Sequence, residues 1–443
     1  MPTETVSGLA KETRRKSCKR LALILLIGLA LRLAVIALPS FEDLMDADHI
    51  HAWEQGNVAE ALLAGHGFGS GFPSNQPSAI MPPVYPLIVA GLFYLFGIHT
   101  AQSILAVHVF DCIVNALAVI PIFLLARRSF GERTGWWAAW TWAFFPYGLY
   151  FSAAWAWSTH LLLLCLCWLL YLAQDLEQSS RLGLWAGFGL LAGFMGLAEP
   201  SGLVVIPFLL ALACWRRARE RKPWLLPGVV ASLVLAATIS PWLIRNEVTF
   251  HRFIPMRDSM GLELWLGNNG NSLHWTNNDL SPLHDAREMA AYNRMGELAY
   301  MDHKAQQAKA YIHEHRGWYA WMSMRRAVYL WTGYWSFDRA YLEMEPTDPE
   351  NIVFASGLTL LGLLGLLFVW REKPFEAIRY GGVLFLYPAM FYFIHPEAYR
   401  MRPLDPLMVI LGCYAILLWR DRRRARSLRP SDKRQNRDAR CGE

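Results

Sequence analysis

The chain has 443 residues, of which 54% are hydrophobic and only 18% charged, with 20 tryptophans and a formal net charge of +6. Soluble domains carry about 25% charged residues, so this composition excludes a string of soluble domains, a disordered or fibrous chain and, despite the positive charge, a nucleic-acid binder. What remains is a polytopic membrane protein, in which Lys and Arg report topology because they accumulate in cytoplasmic loops.

Residues 1–20 form a basic start that includes KETRRKSCKR, followed by an apolar run from Leu21 to about Pro39. That run is close to the ~20 residues that cross a bilayer and longer than the apolar core of a cleaved signal, so it reads as an uncleaved anchor. The first outer loop, 40–103, opens with FEDLMDADHIHAWEQGN. A helix beginning near Ala47 would set Ile50, Trp53 (or Ala52), Val58, Ala61 and Leu62 along one lipid-facing side. Asp46 would then be either its N-cap or a reactive acid at the membrane surface. Asp48, His49 and His51 make a poor metal set, because adjacent residues on a helix diverge. The stretch Met81–Gly97 (MPPVYPLIVAGLFYLFG) is ambiguous. Counting it as a span would turn the basic loops LARRSFGER and WRRARERK outward, so it is expected to lie along the outer leaflet.

Further apolar runs cover 104–126, 135–151, 158–174, 184–199, 201–215, 224–243, 351–370, 379–394 and 404–419, which gives about ten spans. The organisation that follows is a transmembrane module over 21–243, an extracytoplasmic helical segment over 244–350, C-terminal spans over 351–419 and a basic tail over 420–443. Both termini fall on the cytoplasmic side of the cell (inner) membrane. Within the outer segment, 285–316 has helical composition, and WYAWMSMRRAVYLW suits an interfacial helix. The seven cysteines lie in apolar runs or basic tails and imply no disulfide framework.

Ionisable groups within apolar runs are costly, about 2.5 kcal/mol or more at the bilayer centre. His108, Asp111 and Asn115 recur at i, i+3 and i+7 on one helical face, and Glu199 and Arg32 lie in apolar segments too. The simplest reading is that they pair with one another. Arg245, Arg400 and Arg402 sit instead at outer ends of spans, in PWLIRNEVTF and HPEAYRMRPLDP, either as interfacial anchors or as phosphate ligands.

Taken in order, MDADHIHAWEQGN, GHGFGS, PPVYPLIVAGLFYLFG, LARRSFGERTG, PWLIRNEVTFHRFIPMRDSMGLELWLGNN and EAYRMRPLDPLMVILGCYA resemble the GT-C glycosyltransferases. The likeness is to the bacterial family similar to protein O-mannosyltransferases and lipid A aminoarabinose transferase, over most of residues 20–420. It implies an all-α polytopic GT-C fold, with amphipathic helices in the first outer loop. It also implies inverting transfer of a sugar from a polyprenyl-phosphate donor to an envelope acceptor (protein, lipid or polysaccharide) on the outer face. The acid after the first span, which matches Asp46 with Asp48 beside it, would be the base. Arg245, Arg400 and Arg402 would hold the donor phosphate. The outer segment 250–345 would cover the acceptor groove.

The sequence departs from that pattern in the second outer loop, where Ser158 and its neighbours stand in place of an acid. Glu199-Pro200 replaces an Arg-Pro pair, and His108 replaces an arginine. His108, Asp111, His160, Glu199 and Asn246 are therefore candidates for a polar pocket. No metal site is expected, although a divalent cation is compatible with this chemistry. The rival class is a lipid-linked sugar flippase using His108, Asp111 and Glu199 as its path; such proteins often carry internal repeats, and none is visible.

Overall fold

In a bilayer each segment must satisfy its own backbone groups, and apolar runs of this length do so as helices. A computed structural model describes residues 3–38, 53–72, 74, 76–270, 280–333, 348–394 and 398–427, and among them the regular structure is all helix, with no strand. Asp46 and Asp48 lie outside the described residues, as does the expected helix start at Ala47.

In chain order the helices are α1 (Thr3–Ile36), α2 (Glu54–Leu63), α3 (Val84–Phe96), α4 (Ala101–Leu117), α5 (Val119–Phe130), α6 (Glu132–Phe144), α7 (Pro146–Ala154), α8 (Thr159–Leu176) and α9 (Leu182–Ala198). A 3-10 turn, Pro200–Val205, leads into α10 (Ile206–Arg219), then α11 (Leu225–Phe250), α12 (Met260–Gly267), α13 (Ala286–Met295), α14 (Glu297–Glu314) and α15 (Arg316–Thr332). The chain closes with α16 (Asp348–Glu372), α17 (Pro374–Leu386), 3-10 turns at Pro388–Tyr392 and Ala398–Leu404, and α18 (Asp405–Ser427).

Six helical stretches among the described residues are long and apolar enough to cross a membrane: Ala101–Phe130, Thr159–Leu176, Pro200–Arg219, Leu225–Phe250, Ile352–Glu372 and Arg400–Ala425. The ambiguous segment becomes α3, only 13 residues long and packed against α2 and α4. At about 1.5 Å per residue it is too short for a ~30 Å core. Helix breaks follow local chemistry. Gly131 adopts φ 98° between α5 and α6, a conformation that favours glycine, and Pro146 sits at the start of α7.

The apolar run over 224–243 in the sequence places the end of this span at residue 243. The structure carries α11 through Pro241 to Phe250, where His251 turns left-handed at φ 51°. Arg245 and Asn246 are thus on the last turns of one continuous helix.

Close helix pairs depend on small residues, as is usual between membrane helices. A Cβ at Gly189 of α9 would stand 2.2 Å from the Ala231 carbonyl oxygen of α11, and one at Gly365 of α16 would stand 2.2 Å from that of Leu411 in α18. The main core joins α5, α6, α8, α9, α17 and α18 around Trp142, Leu166, Trp185 and Tyr380. At the far end of α8, Glu177 accepts from Arg379 and Arg216, while Arg217 is fully buried and donates to the Pro223 and Leu176 carbonyls. Two arginines read from the sequence as topology markers therefore also tie helix ends together.

Candidate active site

The expected polar face of α4 closes on itself. Arg32 of α1 donates to Asn115 Oδ1 from Nε (3.1 Å) and Nη2 (2.9 Å). The Asn115 amide lies 3.3 Å from His160 Nδ1, and His160 Nε2 lies 2.9 Å from the Trp155 carbonyl. Only a neutral ring that carries its proton on Nε2 satisfies both contacts, since the amide and the carbonyl have fixed roles. Asp111 accepts from the Tyr85 hydroxyl at 2.6 Å. Arg32, Tyr85, Asp111, Asn115 and His160 are all fully buried, and His108 nearly so. These groups fix α1, α3, α4 and α8 to one another, but of the side chains expected to pair among themselves only Arg32 and Asn115 do so; Asp111 is met by Tyr85 and Glu199 by two serines.

The loop over 68–80 packs against the end of α11, the turn after it and α14, whose side chains meet several of its backbone groups. Arg245 donates to the carbonyls of Ser78 (2.7 Å) and Phe68 (2.9 Å), and Arg257 Nε donates to that of Ile80 (2.8 Å). Glu297 accepts from the Ala79 amide at 2.7 Å and from the Tyr292 hydroxyl at 2.9 Å. The Asp258 amide donates to the Ala79 carbonyl at 3.0 Å. Burial, reinforced by the nearby Glu297 carboxylate, pushes the Asp258 carboxyl up to about 7; burial likewise raises Glu297. Asn246 donates to the Ile254 carbonyl and so holds the turn after α11.

A cleft of about 210 Å³ opens beside this loop, lined by Glu199, Ser201, Arg257, Glu263, Phe391 and Arg400 among others. Glu263 of α12 faces two guanidiniums, Arg400 at 3.2 Å and Arg257 at 3.8 Å. Glu199 is presented where Pro200 ends α9, with backbone at φ −150° and ψ 100°. Its carboxylate accepts from Ser158 Oγ at 2.8 Å and Ser201 Oγ at 3.1 Å. The serine found where an acid was expected is thus hydrogen-bonded to an acid from the next helix break.

The three arginines expected to grip one phosphate divide in the structure. Only Arg400 lines the cleft. Arg245 is engaged with loop carbonyls and stacked near Trp242 and Phe68, because a buried turn has carbonyls that need donors. Arg402 is buried beneath, paired with Asp405 at 3.2 Å and lying over the Tyr147 ring. Arg257 and Glu263, in the MRDSMGLELW segment, are not among the site residues expected from the sequence. Their signal was the presence of opposite charges in an otherwise apolar stretch. No cluster of three or more His, Cys, Asp or Glu placed to hold a metal occurs among the described residues.

This helical arrangement is the GT-C fold, as the motifs implied. Residues 80–243 match the family described as dolichyl-phosphate-mannose-protein mannosyltransferase. The oligosaccharyltransferase of Archaeoglobus fulgidus in its apo form is similar at a TM-score of 0.54 and 12% identity, over 91% of this chain and 51% of that one. The same organism's AglB in complex with an inhibitory peptide and a dolichol-phosphate gives 0.53 and 12%, over 91% and 50%. This chain therefore spans about half the length of those proteins. ArnT from Cupriavidus metallidurans bound to undecaprenyl phosphate aligns at a TM-score of 0.40 and 14% identity, over 90% of this chain and 78% of that one. No curated protein sequence matches the chain.

Proposed function

We propose that this chain is a membrane glycosyltransferase that moves a sugar from a polyprenyl-phosphate carrier to an envelope acceptor on the outer face, with inversion at the anomeric carbon. The observation that carries this reading is the cleft in which Arg400 and Arg257 converge on Glu263. There two guanidiniums meet a partly exposed carboxylate, with the buried Glu199 on the same lining, next to the loop that the family match enters at residue 80. The family description, with its dolichyl-phosphate mannose donor, and the dolichol-phosphate bound by the archaeal AglB support a donor of this class.

In this mechanism an acceptor hydroxyl oxygen attacks the anomeric carbon while the bond from that carbon to the carrier phosphate breaks. The hydroxyl proton passes to the carboxylate of Asp46, and the bonding electrons leave with the polyprenyl phosphate. A hydroxyl is a weak nucleophile until a positioned base takes its proton, and the departing phosphate needs fixed positive charge where its own charge grows. Arg400 supplies that charge with Arg257 beside it, and Arg245 holds the loop that forms the adjacent wall. Glu199, fixed by two serine hydroxyls, lines the same cleft as an acceptor for sugar hydroxyls.

The test compares envelope glycans and polyprenyl-phosphate sugars by mass spectrometry in cells with and without the gene. Loss of one glycan together with accumulation of its lipid-linked donor is expected. Unchanged glycans and donor pools would refute the reading. Accumulation without loss of any transferred sugar would point to transport.

A further inference from the structure

A second opening, a groove of about 340 Å³, runs along α18 between α6 and α16. Its floor is Met408, Gly412 and Ile416, and Trp137 and Phe354 flank it. The floor extends from Met408 to Arg420, about 18 Å at 1.5 Å per residue. That is slightly more than half of a ~30 Å hydrocarbon core. Several lining side chains, including Trp137, Phe354 and Ile416, remain exposed in the structure.

One end of the groove is charged. Arg420 lines it and has no ion-pair or hydrogen-bond partner among the described residues. Its neighbours are committed: Asp421 pairs with Arg133 at 2.9 Å, Glu372 with Arg422 at 2.6 Å, and Arg423 lies over the Trp419 ring. The nearby carboxylates are therefore spent, and the end of the groove has uncompensated positive charge. Arg420 also lies about 22 Å along α18 from Asp405, at the opposite end from the Arg400 cleft.

We infer that this groove is a binding site for an anionic phospholipid, with one acyl chain along α18 and the headgroup phosphate on Arg420. The apolar lining accounts for the chain, and the unpaired guanidinium accounts for the preference in headgroup charge. The groove is sized for a chain that reaches the bilayer middle, and its charged end lies away from the cleft, so it is distinct from the proposed carrier site.

The experiment is native mass spectrometry of the purified full chain in detergent, with palmitoyl-oleoyl phosphatidylglycerol or the corresponding phosphatidylcholine added. A basic side chain near a membrane surface adds enough attraction for an anionic lipid to give about fivefold preference. The wild type is expected to retain phosphatidylglycerol over phosphatidylcholine by about that factor, and Arg420→Gln to lose the preference while still binding both. Gly357 lines the groove, and a Cβ there meets nothing within 4 Å. Gly357→Phe should therefore fill the groove and lower both adducts without altering the thermal melt. Glycerol 3-phosphate, which has the headgroup charge without a chain, should displace neither lipid. Equal retention of the two lipids by the wild type would overturn the inference. So would a preference that survives Arg420→Gln, or adducts that Gly357→Phe leaves unchanged.

Discussion

Neutralising Glu263 probes the cleft directly. Its carboxylate is the counter-charge that an entering phosphate has to replace, at 3.2 Å from Arg400 and 3.8 Å from Arg257. All three side chains are partly solvated, 13% exposed for Arg400, 17% for Arg257 and 22% for Glu263, so the Coulomb attraction is screened. Partly exposed pairs are worth roughly 0.5–1 kcal/mol each after desolvation and side-chain entropy. Removing this one carboxylate breaks both pairs and therefore releases about 1–2 kcal/mol, equivalent to roughly 5- to 30-fold in a dissociation constant. The assay is isothermal titration of farnesyl phosphate into purified wild type and Glu263→Gln, with farnesol as the uncharged control and thermal melts to verify folding. The variant should bind the phosphate more tightly, with farnesol unchanged and the gain shrinking as salt is raised. Unaltered or weaker phosphate binding, or an equal gain for farnesol, would refute the reasoning.

Other outcomes follow from the same geometry. Asp46→Asn keeps the capacity to cap a helix, since Asn and Asp cap about equally well, but it cannot take a proton. The protein should insert stably while turnover falls by ~10²-fold or more; near-normal turnover would remove Asp46 as the base. Arg245→Lys retains charge but cannot reach the Phe68 and Ser78 carbonyls with two nitrogens at once. A lower melting temperature with farnesyl phosphate affinity little changed is expected, and the reverse pattern would return Arg245 to the phosphate. Asp258, raised to about 7 in the folded chain against about 3.9 when unfolded, binds more protons folded than unfolded between those values. Its contribution to stability is present below about pH 4 and is lost as pH rises through about 7. Asp258→Asn should flatten that window in a melting series and raise stability above pH 7; a wild-type melt that does not fall across the window would contradict the assignment.

Hydrophobic run length, basic loops and the order of short motifs were enough to read an all-helical membrane protein of GT-C type from the sequence alone. Local chemistry shows in composition because each run must satisfy its own backbone, and Gly and Pro mark where it stops. The pairing of Arg32 with Asn115 was legible for the same reason, since polar groups on an apolar helix face need partners, whereas Tyr85 as the partner of Asp111 was not. The division among Arg245, Arg400 and Arg402 was not legible. All three sit at span ends, but which one faces an opening depends on which carbonyls the folded loop leaves without donors. Only the tertiary structure brings Phe68 and Ser78 under Arg245, sets Asp405 beside Arg402, and leaves Arg400 lining the cleft with Arg257 and Glu263. Glu199 and Ser158 are 41 residues apart, and no local pattern links them. Their contact exists because α8 and α9 are consecutive helices that fold back antiparallel on one another, so that α8 begins where α9 ends.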